Sequence, residues 1–298
     1  MSVTTFSRRF VLAAVSTAAL VLSGCGGTAS TTSSLSVTPA LGAVYGAVVN
    51  VYNASGSLLG TGTTDSTTGK VTVTLYGYTS GTPIIVKVTL PAGSSYYNEK
   101  TGANETITSS NTTSLLSVVA SVSSGSSVGV TALTNMAAKF AGVDVSTVGS
   151  ATLSVALTAS AVNTAVVQTN LALGLPAGTL ITAAPVAATL AAPSPTDTYG
   201  SILATMAKYS TGSPLTQATS LAAAVTLTNG VASISSTAPT IVTSINSNLS
   251  TYASSTVTVS TPNTAPSAAV LAAGVTSQAA AVTTGTFATG TGTGSSSL

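Results

Sequence analysis

The sequence predicts an α+β protein of two domains, with an N-terminal antiparallel β-sandwich over residues 42–130 and a C-terminal all-α domain, rich in Ala, Val and Thr, over residues 131–282. Three observations carry this expectation. Short runs of Val, Ile, Leu and Tyr alternate with polar residues up to residue 130, and six of the nine tyrosines fall between Tyr45 and Tyr97. From residue 131 the apolar positions recur at three and four, the spacing of a helix face. Residues 283–298 are almost entirely Gly, Thr and Ser and carry no apolar period, so a disordered tail is expected there.

The elements follow in order. Residues 44–52 alternate loosely, and Asn53, Ala54, Ser55, Gly56 and Ser57 supply turn chemistry before Leu58 and Leu59, a hairpin pattern. Val71, Val73 and Leu75 occupy one face of a strict period-two strand at 70–76. Ser80, Gly81, Thr82 and Pro83 then turn the chain into a strand at 84–90, which Pro91 ends. Segments around Ile107, 115–119 and 128–130 are expected to complete the sandwich. In the second half, Leu133, Met136, Ala137 and Phe140 share a face of a helix over 131–140 that Gly142 stops. A longer helix is expected over 152–173 with Gly174 at its end, followed by a proline-punctuated connection at 176–195. Asp197 is placed to cap a helix over 198–209. Further helices are expected near 215–227, 239–252 and 265–282. Their β-branched Thr and Val lower intrinsic helix propensity, so packing must hold them.

The glycine-bearing first strand, the turn VYNASGSLLG, the segment TDSTTGKVTV and the strand IIVKV together resemble the carboxypeptidase-regulatory-like, or transthyretin-like, sandwich domains of bacterial surface proteins. The resemblance covers roughly 80 residues, implies a small β-sandwich, and brings no catalytic residues with it. The helical half resembles the alanine-rich segment that follows such sandwiches in some proteobacterial lipoproteins.

At the N-terminus, residues 10–22 form an apolar run behind Arg8 and Arg9. It is shorter than the roughly 20 residues a spanning helix needs, and it reads as an export signal over residues 1–24. The run closes on Leu22, Ser23, Gly24 and Cys25, and Cys25 is the sole cysteine of the chain. This ending resembles the lipobox of bacterial lipoproteins. The resemblance implies cleavage before Cys25 and diacylation of its sulfur. Acyl chains contribute about 0.8 kcal/mol per buried CH₂, and two or three of them exceed the single chain that binds only marginally. Gly26, rather than Asp, after the cysteine matches lipoproteins sorted to the outer membrane. The segment from Ser7 to Leu12, with its paired arginines, also resembles a twin-arginine export signal. Residues 25–41 then read as the lipidated cysteine and a flexible tether.

Composition narrows the function classes. Charged residues are 4% of the chain and histidine and tryptophan are absent, against about 25% charged in ordinary soluble domains. Removal of the signal takes Arg8 and Arg9 and leaves five lysines against five acids. No basic field remains to recruit nucleic acid, and a net charge near zero favours self-association. Without histidine there is no Ser-His-Asp or Cys-His site. The acids are scattered, so neither paired carboxylates for glycoside chemistry nor a clustered metal site is expected. No cofactor is expected. Tyr96, Tyr97, Asn98 and Glu99 are the one place where aromatic and polar groups meet on an expected loop, a pattern suited to sugar or peptide binding; the plainer reading packs one ring on the sandwich edge.

The function expected on these grounds is that of a non-enzymatic, lipid-anchored protein of the bacterial cell envelope, at the outer membrane, with an adhesion, assembly or structural role. Its partners would be the membrane through the lipid anchor and a protein or glycan at the cell surface. One alternative is a periplasm-facing accessory or small-ligand-binding lipoprotein that uses an apolar groove between helices. Another is a filament subunit, because the strand edges lack the charges and prolines that discourage pairing.

Overall fold

The computed structural model describes residues 32–98, 100–149, 157–173, 181–185, 198–208, 212–228 and 231–234, with positions 153, 175 and 179 between them. In chain order the strands of the first half are β1 (Thr32–Ala40), β2 (Val44–Tyr45), β3 (Val48–Asn53), β4 (Leu58–Thr63), β5 (Val71–Tyr76), β6 (Ile84–Leu90), β7 (Ser95–Asn98), β8 (Ala103–Thr106), β9 (Thr113–Val119) and β10 (Ser126–Thr131). Helices α1 (Ala132–Phe140), α2 (Ala159–Leu173), α3 (Thr198–Lys208) and α4 (Pro214–Ala223) follow, and β11 (Val225–Thr228) pairs with β12 (Val231–Ile234). The chain is thus mixed α+β with a β-rich N-terminal region.

Two larger sheets lie together in sandwich-like fashion, one ordered β10-β1-β5 and the other β4-β3-β6-β9, with a small sheet β2-β7-β8 beside them. Their apolar faces follow from the register. In the first, Leu35 pairs with Val73 and Val37 with Val128, and all four are buried. In the second, Val49, Val88 and Leu115 form one cross-strand row and Val51 and Val86 part of the next, each fully buried. These rows belong to one continuous core that extends into α1. The opposite face of the first sheet carries hydroxyls, Ser36 opposite Thr72 and Ser34 opposite Thr74. Alternation of this kind puts a half-buried sheet between core and water.

β4 lies close along β5 because two of its residues have no side chain. A Cβ on Gly60 would stand 2.2 Å from the Thr74 carbonyl oxygen, and one on Gly62 would stand 2.7 Å from a Val71 methyl. Glycine in a strand here marks an approach of backbone to backbone.

The structure departs from the sequence expectations in several places, among them the strand expected around Ile107, which is β8 of the small sheet and ends at Thr106. The expected tether at 25–41 is overlapped by β1, the middle strand of its sheet; the signal, Leu35-Ser36-Val37, is only three residues of period two among hydroxyls. Pro39 is tolerated in β1 because pairing with β5 has already ended at Val37. The sandwich is not wholly antiparallel, since β1 and β10 run parallel from Leu35 opposite Ser126 to Ala40 opposite Thr131. The strand expected over 44–52 is divided into β2 and β3 at Gly46, whose φ of 68° places it in the left-handed region. The helix expected over 215–227 stops at Ala223, and Val225 to Thr228 pair as a strand. Thr226 and Val225 are β-branched and the following Asn229-Gly230 is a strong hairpin signal, so the local preference there is β.

Other expectations are met closely. β5, β6, β9 and β10 fall on the segments named, and α1 begins one residue after its cap Thr131. The Thr131 side chain accepts from the Leu133 and Thr134 backbone, while the Thr134 hydroxyl accepts from the Thr131 N–H, a reciprocal cap. Gly142, at φ 80°, closes the helix: its N–H donates to the Lys139 carbonyl and that of Val143 to the Ala138 carbonyl. Helix α2 begins at Ala159 rather than near 152, and α3 spans most of its expected range. Helices expected at 239–252 and 265–282, and the tail at 283–298, lie outside the described residues.

Candidate functional site

Helix α1 positions a well-connected polar site among the described residues. It packs on β9 and carries Asn135 and Lys139 one turn apart on the same face. β9 is the edge of its sheet, and α1 covers that edge with side chains: the Leu116 N–H donates to Asn135 Oδ1 at 3.0 Å, and the Thr134 hydroxyl donates to the Leu116 carbonyl at 2.9 Å. Asn135 Nδ2 donates in turn to the Ala218 carbonyl on α4 at 3.2 Å. One buried amide therefore ties strand, helix and helix together.

Beside this junction a cleft of about 230 Å³ opens between the start of β9, the end of α1, the turn after it, and α4. Leu116, Val143 and Ala222 supply apolar wall; Ser114, Thr219 and Asn135 supply hydrogen-bonding groups. Lys139 and Asp144 stand at the cleft as an ion pair, roughly a quarter to a third exposed. The Gly142 turn is what returns Asp144 to the helix it has just left. The Lys139 ammonium, donating to Asp144, holds that carboxyl down to about 2, against the ordinary 3.8, and Ser146 assists by donating from its N–H and hydroxyl to Oδ1. The same turn is held from below by Lys87 of β6, whose Nζ donates to the Val145 and Val148 carbonyls at 3.1 and 3.0 Å. The arrangement presents a neutralised ion pair, two hydroxyls and an apolar wall, which suits capture of a small amphipathic molecule. No described side chain stands there as an activated nucleophile beside a base.

The residues singled out from sequence are placed differently. Tyr96, Tyr97 and Asn98 lie on β7 rather than on a loop. Tyr96 is fully buried and Asn98 nearly so, while Tyr97 is half-buried. Tyr96 and Asn98 therefore face inward, and Glu99 lies outside the described residues. Tyr96 is opposite Glu105 of β8 and donates its hydroxyl proton to Glu105 Oε2 at 2.7 Å; Asn98 Nδ2 donates to the same oxygen at 2.8 Å. Burial pushes the Tyr96 phenol up, and the bond to Glu105 adds to the rise, partly opposed by the Ser213 hydroxyl. The Tyr96 ring is packed inside the fold. Cys25, Leu22, Ser23 and Gly24 lie outside the described residues.

Sequence reading missed the Lys139–Asp144 pair, although a lysine in a helix's last turn, a glycine three residues on and an aspartate after it is a legible signal. It also missed Glu105 as partner of Tyr96, since that pairing depends on hairpin register. Among the described residues no group of three or more His, Cys, Asp or Glu gathers at one point, and no helix is long and apolar enough to cross a membrane. No family model, curated protein or solved structure matches the chain.

Proposed function

We propose that this chain is a non-enzymatic lipoprotein of the bacterial cell envelope, held at the outer membrane through Cys25 and serving an adhesion, assembly or structural role. The observation that carries the reading is the sole cysteine, set in a lipobox-like ending seven residues before the first strand. The described carboxylates support it, because each is engaged in holding structure. Asp65 accepts from the Thr67 and Thr68 N–H groups of its own turn, Glu105 joins β7 to β8, and Asp144 pins the turn after α1. The carboxypeptidase-regulatory-like resemblance is consistent with an aliphatic core between sheets whose outer β1–β5 face carries mostly hydroxyls. Replacement Cys25→Ser should abolish the acyl mass and leave the export signal attached, seen as a longer, unlipidated chain by intact-mass spectrometry. An unchanged mature start and acyl mass after that change removes the proposal.

A second reading, a periplasm-facing carrier of a small ligand, is favoured by the cleft between α1, α4 and β9. Native mass spectrometry of protein from its own host should then show a bound small molecule that Ala222→Trp abolishes. The filament reading is weakened by the side chains of α1 covering β9 and by residues 181–185 lying on β10, where the Gly129 N–H donates to the Thr182 carbonyl at 3.0 Å.

A further inference from the structure

Among the described residues, two large apolar side chains stand in solvent, Leu58 at 57% and Tyr76 at 62% exposure. They share one end of the sandwich. Tyr76 is the last residue of β5 and pairs with Thr32, the first of β1. Leu58 is the first residue of β4, two before Gly60, whose backbone lies on Thr74 of β5. The loops at the same end, 53–57, 77–83 and 120–125, contain no charged residue, as register confirms their grouping: Asn53 pairs with Ile84 and Ile84 with Val119. They are also well fixed. The Tyr78 hydroxyl accepts from the Val122 N–H at 3.1 Å and lies 3.0 Å from the Thr82 carbonyl, and the Gly125 N–H donates to the Ser34 carbonyl at 2.8 Å. Among the described residues the charges sit elsewhere, with Asp65 and Lys70 in the connection at the far end, Lys100 and Glu105 about the small sheet, and Lys87, Lys139 and Asp144 about the turn after α1.

The chain enters the described fold at this end. Cys25 precedes Thr32 by seven residues, a span of at most about 25 Å fully extended. We propose that this uncharged end is the membrane-facing surface of the protein, with Tyr76 and Leu58 lodged in the headgroup zone of the bilayer that holds the lipid on Cys25. The inference rests on the lipid-anchor reading above. An amphipathic tyrosine ring suits that zone, where one end is apolar and the other wet. A surface without charge meets it with no ion to desolvate. The tether keeps the local concentration of membrane high, so the contact needs little affinity of its own. The orientation turns the Lys139–Asp144 cleft, at the start of β9, away from the bilayer.

The natural sequence has no tryptophan, so Tyr76→Trp and Lys70→Trp each place a single reporter at opposite ends. Both full-length variants, processed by the cell, are reconstituted into phosphatidylethanolamine–phosphatidylglycerol vesicles whose acyl chains are brominated near the headgroup. The Tyr76→Trp emission should shift to the blue and be quenched several-fold more than that of Lys70→Trp. Equal quenching of the two, on protein whose mass confirms a lipid on Cys25, overturns the orientation alone. A mass without that lipid overturns the anchor and the orientation with it. Should Tyr76→Trp melt below the parent chain, Leu58→Trp gives the same comparison.

Discussion

Tyr96 and Asn98 converge on a single oxygen of Glu105, so one partly exposed carboxylate satisfies two buried donors from the neighbouring strand. Replacement Tyr96→Phe removes one of these bonds and keeps the ring. The expected cost is about 1.5 kcal/mol, as for a hydrogen bond to a charged acceptor, read as a lower denaturant midpoint with unchanged slope. Asp144 makes a second residue-scale prediction. Its folded value lies below its unfolded one, so the Lys139–Asp144 pair contributes stability above about pH 4 that is lost as pH falls through about 2. For so exposed a pair that increment is about 1 kcal/mol after solvent screening. Comparing urea midpoints at pH 5 and pH 2, Asp144→Asn should lose this much of the parent's pH dependence. A slope of the same sign should remain, because the Thr67 and Thr68 N–H groups also hold Asp65 below its ordinary value. At this scale sequence shows which residues have polar or aromatic chemistry; it does not show partners such as Glu105 for Tyr96, which depend on the register set by the turn between β7 and β8.

The edge of β9 illustrates what the elements do for one another. A strand edge exposes unpaired N–H and C=O groups, and here α1 answers them at Leu116 with an asparagine and a threonine. Asn135→Ala would leave the Leu116 N–H and the Ala218 carbonyl without these buried partners. The expected loss is about 3 kcal/mol, or roughly 5 °C in Tm for a chain of this size. A change below 0.5 kcal/mol, the level of ordinary surface substitutions, would show that the amide is incidental. The legible elements were those with long periods: β5 with three alternating apolar residues, β6 bounded by prolines, and α1 with its helical stripe and Gly142. β1 was hidden because its two core residues, Leu35 and Val37, sit among hydroxyls that also compose linkers. β11 was hidden because a helical stripe through Leu221 and Ala224 ran on into a β-branched segment.

For the whole molecule, the sequence was informative about class and sparse about contact between halves. Period two followed by period 3.6 correctly anticipated mixed α+β structure with the strands first. It did not disclose that α1 shares a core with the sheets, since that requires knowing which face of β9 has already been covered by β6 and its neighbours. The candidate cleft was equally invisible, because its lining comes from β9, α1, the following turn and α4, from Thr113 to Ala223 of the chain. The account's central claim is that the folded body is tied to a membrane through residue 25, and intact-mass and peptide mass spectrometry of protein purified from native membranes tests it most directly. The predicted result is a chain beginning at Cys25 with a diacylglyceryl thioether on its sulfur. A free thiol at Cys25, or a mature chain that begins at another residue, would contradict it.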